Sequence, residues 1–138
     1  MVRALTRGGA LLLGALLATV VFVGKAQAHA ELLRSDPADG TTLTSAPRSA
    51  TLWFSEEISD KFSSARLVDG QGEQVEGATV EESSDPQRLT LTLPTLPSGT
   101  YGIAWQALAE DDGHRTSGMV IFSIGAASPN RTLAPRCA

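Results

Sequence analysis

From His29 onward the chain is built of short apolar and β-branched runs cut by turn residues, with no long stretch of helical periodicity. The clearest run is RLTLTLP, residues 88–94, where Leu89, Leu91 and Leu93 fall on one side of an extended chain and Thr90 and Thr92 on the other. A period of two marks a strand with one buried face and one wet face. The same reading predicts strands at Glu31–Leu33, Ala50–Phe54, Ala65–Val68, Gln74–Val80, Leu89–Leu93, Tyr101–Leu108 and Met119–Ile124. Between them stand DPADG (36–40), DGQG (69–72), SSDP (83–86) and LPSG (96–99). Glycine supplies positive φ there, proline presets its own φ, and Asp or Ser side chains bond back to nearby amides, so these segments are turns. EEISDKFSS, residues 56–64, is expected to make a helical turn. Short strands at this spacing predict an all-β domain, a seven-stranded antiparallel sandwich or barrel. Tyr101, Ile103 and Trp105 share one strand face, and both Trp53 and Trp105 are assigned to packing because an aromatic side chain buries a large apolar area.

The first 28 residues follow a different pattern. Arg3 and Arg7 precede an apolar run from Ala10 to Val23, then Gly24-Lys25 and the small-x-small triplet Ala26-Gln27-Ala28. That order of charged, apolar and small-residue regions is a secretory signal peptide, with cleavage expected after Ala28. The apolar run is shorter than the roughly 20 residues of a membrane span, with an uncleaved anchor as the alternative reading. With no cysteine at position 29 and no arginine beside Arg7, general export is expected, to the periplasm or the extracellular face of the membrane. The expected organisation is therefore a signal peptide at 1–28, one domain at 29–125 and a flexible tail at 126–138 without periodicity.

Cleavage removes Arg3, Arg7 and Lys25 from the 11 basic residues, against 15 acidic ones, so the net charge falls from −4 to −7. Such a surface disfavours nucleic acid and anionic membranes and favours cations. The single cysteine, Cys137, excludes an internal disulfide, so stability must come from sheet packing and any bound ligand. No phosphate loop, Gly-x-Ser-x-Gly elbow or Cys-x-x-Cys pair is present.

The chemistry rests on two histidines, His29 and His114. Cleavage would give His29 a free α-amine beside its ring Nδ1, and one residue could then chelate a metal through a six-membered ring. An α-amine with an ordinary pKa of roughly 7.7–8.0 yields its proton to a metal far more readily than a lysine near 10.4. His114 lies in EDDGH, where Gly113 permits a tight turn that aims Asp112 and the imidazole at one point. Glu110 and Asp111 add negative potential. Together the two segments offer two imidazoles, one amine and one carboxylate. Such a nitrogen-rich set suits Cu(II), with zinc in a tetrahedron and nickel in a square as alternatives. The only sulfur after residue 28 is Met119 and Cys137, a poor basis for a Cu(I) site.

HAELLRSDPADGTTLTSAPRSATLWFSEEI and LTLPTLPSGTYGIAWQALAEDDGHRTSGMVIFSIG resemble the CopC family of exported copper-resistance proteins. The leading His-Ala, the SDPADG turn, Phe-Ser-Glu and Asp-Gly-His occur in order across nearly all of residues 29–125. The resemblance implies a Greek-key β-sandwich, immunoglobulin-like or cupredoxin-like, that binds one Cu(II) per chain through an N-terminal histidine brace. His29, Asp112 and His114 would be the ligands, with Glu56 behind them or as a weak extra ligand. It also implies a monomer whose partner is the copper ion and, for delivery, a membrane copper transporter of the CopD type. Arg115 and Glu57 stand where proline is common in the family, and the methionine-rich loop of some members is missing. A histidine brace also serves copper mono-oxygenases that cleave polysaccharides, but no flat aromatic platform is left once both tryptophans are assigned to packing. A third reading, an immunoglobulin-like module with incidental histidines, predicts no gain in stability from metal.

Overall fold

In the Leu/Thr run the side chains divide as the alternation requires: Leu89, Leu91 and Leu93 are buried, while Thr90 and Thr92 are partly exposed. The computed structural model describes residues 29–125, which form eight strands and, among those residues, no helix. They are β1 (Leu32–Asp36), β2 (Thr41–Leu43), β3 (Ser49–Phe54), β4 (Ser64–Asp69), β5 (Thr79–Glu81), β6 (Arg88–Thr92), β7 (Gly99–Leu108) and β8 (Arg115–Ile124). One sheet has the order β1-β3-β6-β5 and the other β2-β8-β7-β4. Only β5–β6 and β7–β8 are hairpins within a sheet; every other connection passes from one sheet to the other.

The two sheets meet through side chains at alternate positions: Ala50, Leu52 and Phe54 of β3 and Leu89 and Leu91 of β6 face Tyr101, Ile103, Trp105 and Ala107 of β7 and Val120, Phe122 and Ile124 of β8. Phe54 meets Trp105 edge to face at 5.2 Å between ring centroids, and Tyr101 stacks on Phe122 at 5.9 Å. Pairs in these arrangements add about 0.5–1.5 kcal/mol beyond the area they bury.

Several expectations are corrected. There are eight strands, not seven, and the sheets are not wholly antiparallel, because β2 runs parallel to β8, with Thr41 opposite Phe122 and Leu43 opposite Ile124. Three residues are too few to show an alternation, and the turn before them does the aligning. The Ile121 amide donates to Asp39 Oδ1 at 2.8 Å, and the Gly40 amide donates to the Ile121 carbonyl at 2.7 Å. The run at 74–80 is broken by Gly77, whose φ of 90° belongs to a turn. Its first part folds back on β4 through the Val75 amide and the Leu67 carbonyl, and only Thr79–Glu81 pairs with β6. The helical turn expected in residues 56–64 is a single turn at Ser59–Ser63, where the Ser59 carbonyl accepts from the amides of Phe62 and Ser63, while Ile58 bridges to Ala109. Trp53 is not a core residue. It alternates with buried Leu52 and Phe54, so it faces outward, half-buried, with the Arg34 guanidinium 3.7 Å above its ring. The expected signal peptide and tail lie outside the described residues.

Candidate metal centre

The two histidine-bearing segments reach the same end of the sandwich from opposite sheets. His29 leads into β1, and Asp112–His114 form the turn between β7 and β8. That turn is fixed by its own backbone: the Ala109 amide donates to the His114 carbonyl at 2.9 Å, and the Gly113 amide donates to the Ala109 carbonyl at 3.1 Å. Gly113 has a φ of 70°, which a residue with a Cβ rarely adopts, and this explains Asp-Gly-His rather than Asp-x-His.

Asp112 is bound to His114 through both carboxylate oxygens. Oδ1 accepts the His114 amide at 3.0 Å, and Oδ2 lies 2.6 Å from the ring Nδ1. The His114 backbone amide first, and its ring second, hold the Asp112 carboxyl below the usual carboxylate range. The His29 and His114 rings meet edge to face, 4.8 Å apart and at 71°.

His29, Asp112 and His114 each offer a donor atom within 4.8 Å of the others. Metal–nitrogen bonds of about 2.0–2.1 Å place opposite donors about 4 Å apart, so side-chain shifts of under about 1 Å would bring this set onto one ion. The donor chemistry, imidazole and carboxylate, fits Cu(II) or zinc better than a hard cation that prefers oxygen alone. The His114 side chain is 61% exposed, so the site opens to solvent on that side. Glu56 is half-buried beside Ser55 and does not join the three-donor set. Its neighbour Glu57 accepts the Glu110 amide on its carbonyl at 3.0 Å, which brings the two acidic loops together near the histidines.

The sequence reading missed Ser55 and Thr116. Ser55 Oγ bonds to the His29 carbonyl and the Glu31 amide, and Thr116 Oγ1 to the Ala30 carbonyl. Thr116 and Ala30 are 86 positions apart, and Ser55, although it stands in the Phe-Ser-Glu motif, is given no role there.

An eight-stranded β-sandwich with a histidine–carboxylate cluster at one end defines the class of protein to which this chain belongs. The family model described as the CopC domain matches residues 32–125, and the chain belongs to the CopC family. His29 lies just ahead of the matched residues. Among curated relatives, Protein YobA of Escherichia coli (strain K12) is 32% identical over 113 residues, covering 80% of this chain and 90% of the relative. Copper resistance protein C of Pseudomonas syringae pv. tomato is 35% identical over 106 residues, covering 72% and 82%. Among solved structures, CopC from Methylosinus trichosporium OB3b superposes with a TM-score of 0.63 at 28% identity, covering 70% of this chain and 93% of that one.

Proposed function

We propose that this protein binds one Cu(II) ion outside the cytoplasm through His29, Asp112 and His114, and serves copper sequestration or delivery to a membrane copper transporter. The observation that carries this reading is the convergence of the three side chains from both sheets onto donor positions within 4.8 Å. A relative named for copper resistance and a solved CopC structure support copper as the cargo. Removal of residues 1–28 adds the His29 amine, completing three nitrogens and one oxygen, a set that Cu(II) holds more tightly than other divalent first-row metals. Glu56 acts from behind the ligands. The exposed side of His114 leaves a face for exchange with a transporter of the CopD type, and the acidic surface excludes nucleic acid as a partner. In this reading the protein is a monomeric carrier and not an enzyme.

The test is a Cu(II) titration of the exported protein beside His29→Ala, His114→Ala and a form with one extra alanine ahead of His29. Each change should weaken binding by at least about 10-fold, the lower end for disturbing a metal site. Unchanged affinity in both histidine variants would refute the site. Unchanged affinity in the extended form would remove the amine from it.

A further inference from the structure

We infer that Ser55 and Thr116 are positioning residues for the metal centre, holding His29 in its ligating place before any ion arrives. The inference rests on His29 being a ligand. The regular ladder of β1 begins only at Leu32, opposite Phe54, so His29, Ala30 and Glu31 precede it. Side-chain hydroxyls do much of the work that a strand partner would do. Ser55, the residue after β3, accepts the Glu31 amide on its Oγ at 3.0 Å and donates the same hydroxyl to the His29 carbonyl at 3.0 Å. Its own amide donates to the Glu31 carbonyl at 2.9 Å. From the other sheet, Thr116 Oγ1 donates to the Ala30 carbonyl at 2.5 Å. All three consecutive carbonyls are thus bound, and the Ala30 methyl is fully buried between the two anchors.

Two consequences follow for an ion. The first is pre-ordering. A chain end free to rotate would have to be fixed by the metal, and each residue so fixed weakens apparent binding by roughly 5- to 30-fold, which is 1–2 kcal/mol of backbone entropy. Here the fold has fixed those residues already. The second is the choice of donor atoms. The His29 carbonyl oxygen and the Glu31 amide are occupied by Ser55, so these two groups are withheld from an ion that binds the nitrogens of His29. Thr116 also stands two residues beyond His114 on β8, so it ties the His29 segment directly to the strand that carries the second imidazole.

The experiment uses the exported protein with Ser55→Ala, Thr116→Val, both together, and the hydroxyl-retaining Ser55→Thr and Thr116→Ser. Cu(II) affinity is measured by competition with a chelator, and the donor set by electron paramagnetic resonance at one fixed pH. Amide hydrogen exchange at Glu31 is read without metal. Each hydroxyl-free variant should bind Cu(II) about 10-fold more weakly or worse, the range found for partners behind a ligand. It should also show an altered nitrogen hyperfine pattern and, for Ser55→Ala, faster Glu31 exchange; the conservative variants should restore all three. Thr116→Val keeps the side chain's shape and carries the test alone should Ser55→Ala fail to fold. If the doubly substituted protein keeps wild-type affinity and spectrum while His29→Ala loses the site, the ligand assignment stands and the clamp is refuted. If His29→Ala binds as the wild type does, both fall together.

Discussion

Gly118→Ala should destabilise this protein, although the backbone at Gly118 is free of the positive φ that usually explains a glycine. A methyl group there would lie 2.7 Å from Trp105 Cζ2, 3.0 Å from Cε2 and 3.1 Å from Nε1. The indole cannot retreat easily, because it is 8% exposed and its other neighbours include the Phe54 ring at 5.2 Å. Two effects oppose each other. Replacing glycine at a compatible position stiffens the unfolded chain and stabilises by about 0.4–1 kcal/mol. Forcing a methyl into a packed contact destabilises by about 1–3 kcal/mol. Overpacking wins, with a net loss of about 0.5–2 kcal/mol, and for a domain of this size each 1 kcal/mol lowers Tm by about 4–8 °C. Thermal unfolding followed by circular dichroism reads the loss, since a fluorescence trace would mix Trp53 with Trp105. The decisive comparison is the same substitution in a Trp105→Phe background, where the smaller ring leaves room and Gly118→Ala should become neutral or stabilising. Wild-type or higher stability for Gly118→Ala alone would refute the reasoning, as would an equal loss in both backgrounds.

Three further outcomes are expected. Tyr101→Phe removes the hydroxyl that donates to the Pro97 carbonyl at 2.9 Å and should cost about 1 kcal/mol at neutral pH. Burial first, and Asp69 second, raise the Tyr101 phenol above its ordinary value, so its stabilisation is full below about pH 10 and is lost as the pH rises through the folded value; Tyr101→Phe should flatten that alkaline decline in denaturant titrations. The Asp112 carboxyl is held low, so its contribution is full above about pH 3.9 and lost as the pH falls through the folded value, and Asp112→Asn should remove that part of the acid sensitivity in denaturant titrations below about pH 3.9. Trp105→Ala should cost about 3–5 kcal/mol by urea unfolding, whereas Trp53→Ala, which loses a half-buried ring and a guanidinium contact, should cost clearly less; equal losses would return Trp53 to the core.

What was legible in the sequence was what a period of two can carry. Leu89, Leu91 and Leu93, and Tyr101, Ile103 and Trp105, alternate over enough residues to assign a face, and each set is buried. β2 was invisible because three residues hold no period, and its parallel partner lies some eighty positions away. Gln74–Val80 looks like one strand in the sequence, but the positive φ of Gly77 ends one pairing before the next begins. Trp53 was misplaced by composition: its size argued for the core, while its position between Leu52 and Phe54 argued for the outer face, and the alternation was the stronger constraint. At the site, Asp112 and His114 were legible because a glycine between two donor residues is a local signal. Ser55 and Thr116 were not, because the partners of Ser55 are 24 and 26 positions distant, that of Thr116 is 86 away, and a hydroxyl near a strand end is ordinary.

The placement of the site follows from the way the sandwich is closed. β1 is an edge strand, and its ladder with β3 slips between Leu32 and Arg34, leaving Leu33 67% exposed. The β7–β8 hairpin is long and continuous, with ten cross-strand pairs from Gly99–Ile124 to Leu108–Arg115. One donor segment therefore comes from a weakly paired edge and the other from the tip of the most extensively paired hairpin. An ion bound by both fastens the edge to the hairpin and, at 100 times its dissociation constant, adds about 2.7 kcal/mol to the folded state. In a chain whose single cysteine rules out an internal disulfide, such a link would add to the apolar core a tie between the two sheets at one end. With the proposed ligand set, its strength should vary with the bonds that hold residues 29–31, so metal affinity and the order of this edge should change together. A variant that frees the segment without weakening metal binding, or weakens binding without freeing the segment while leaving His29, Asp112 and His114 intact, would separate the two and undo the connection.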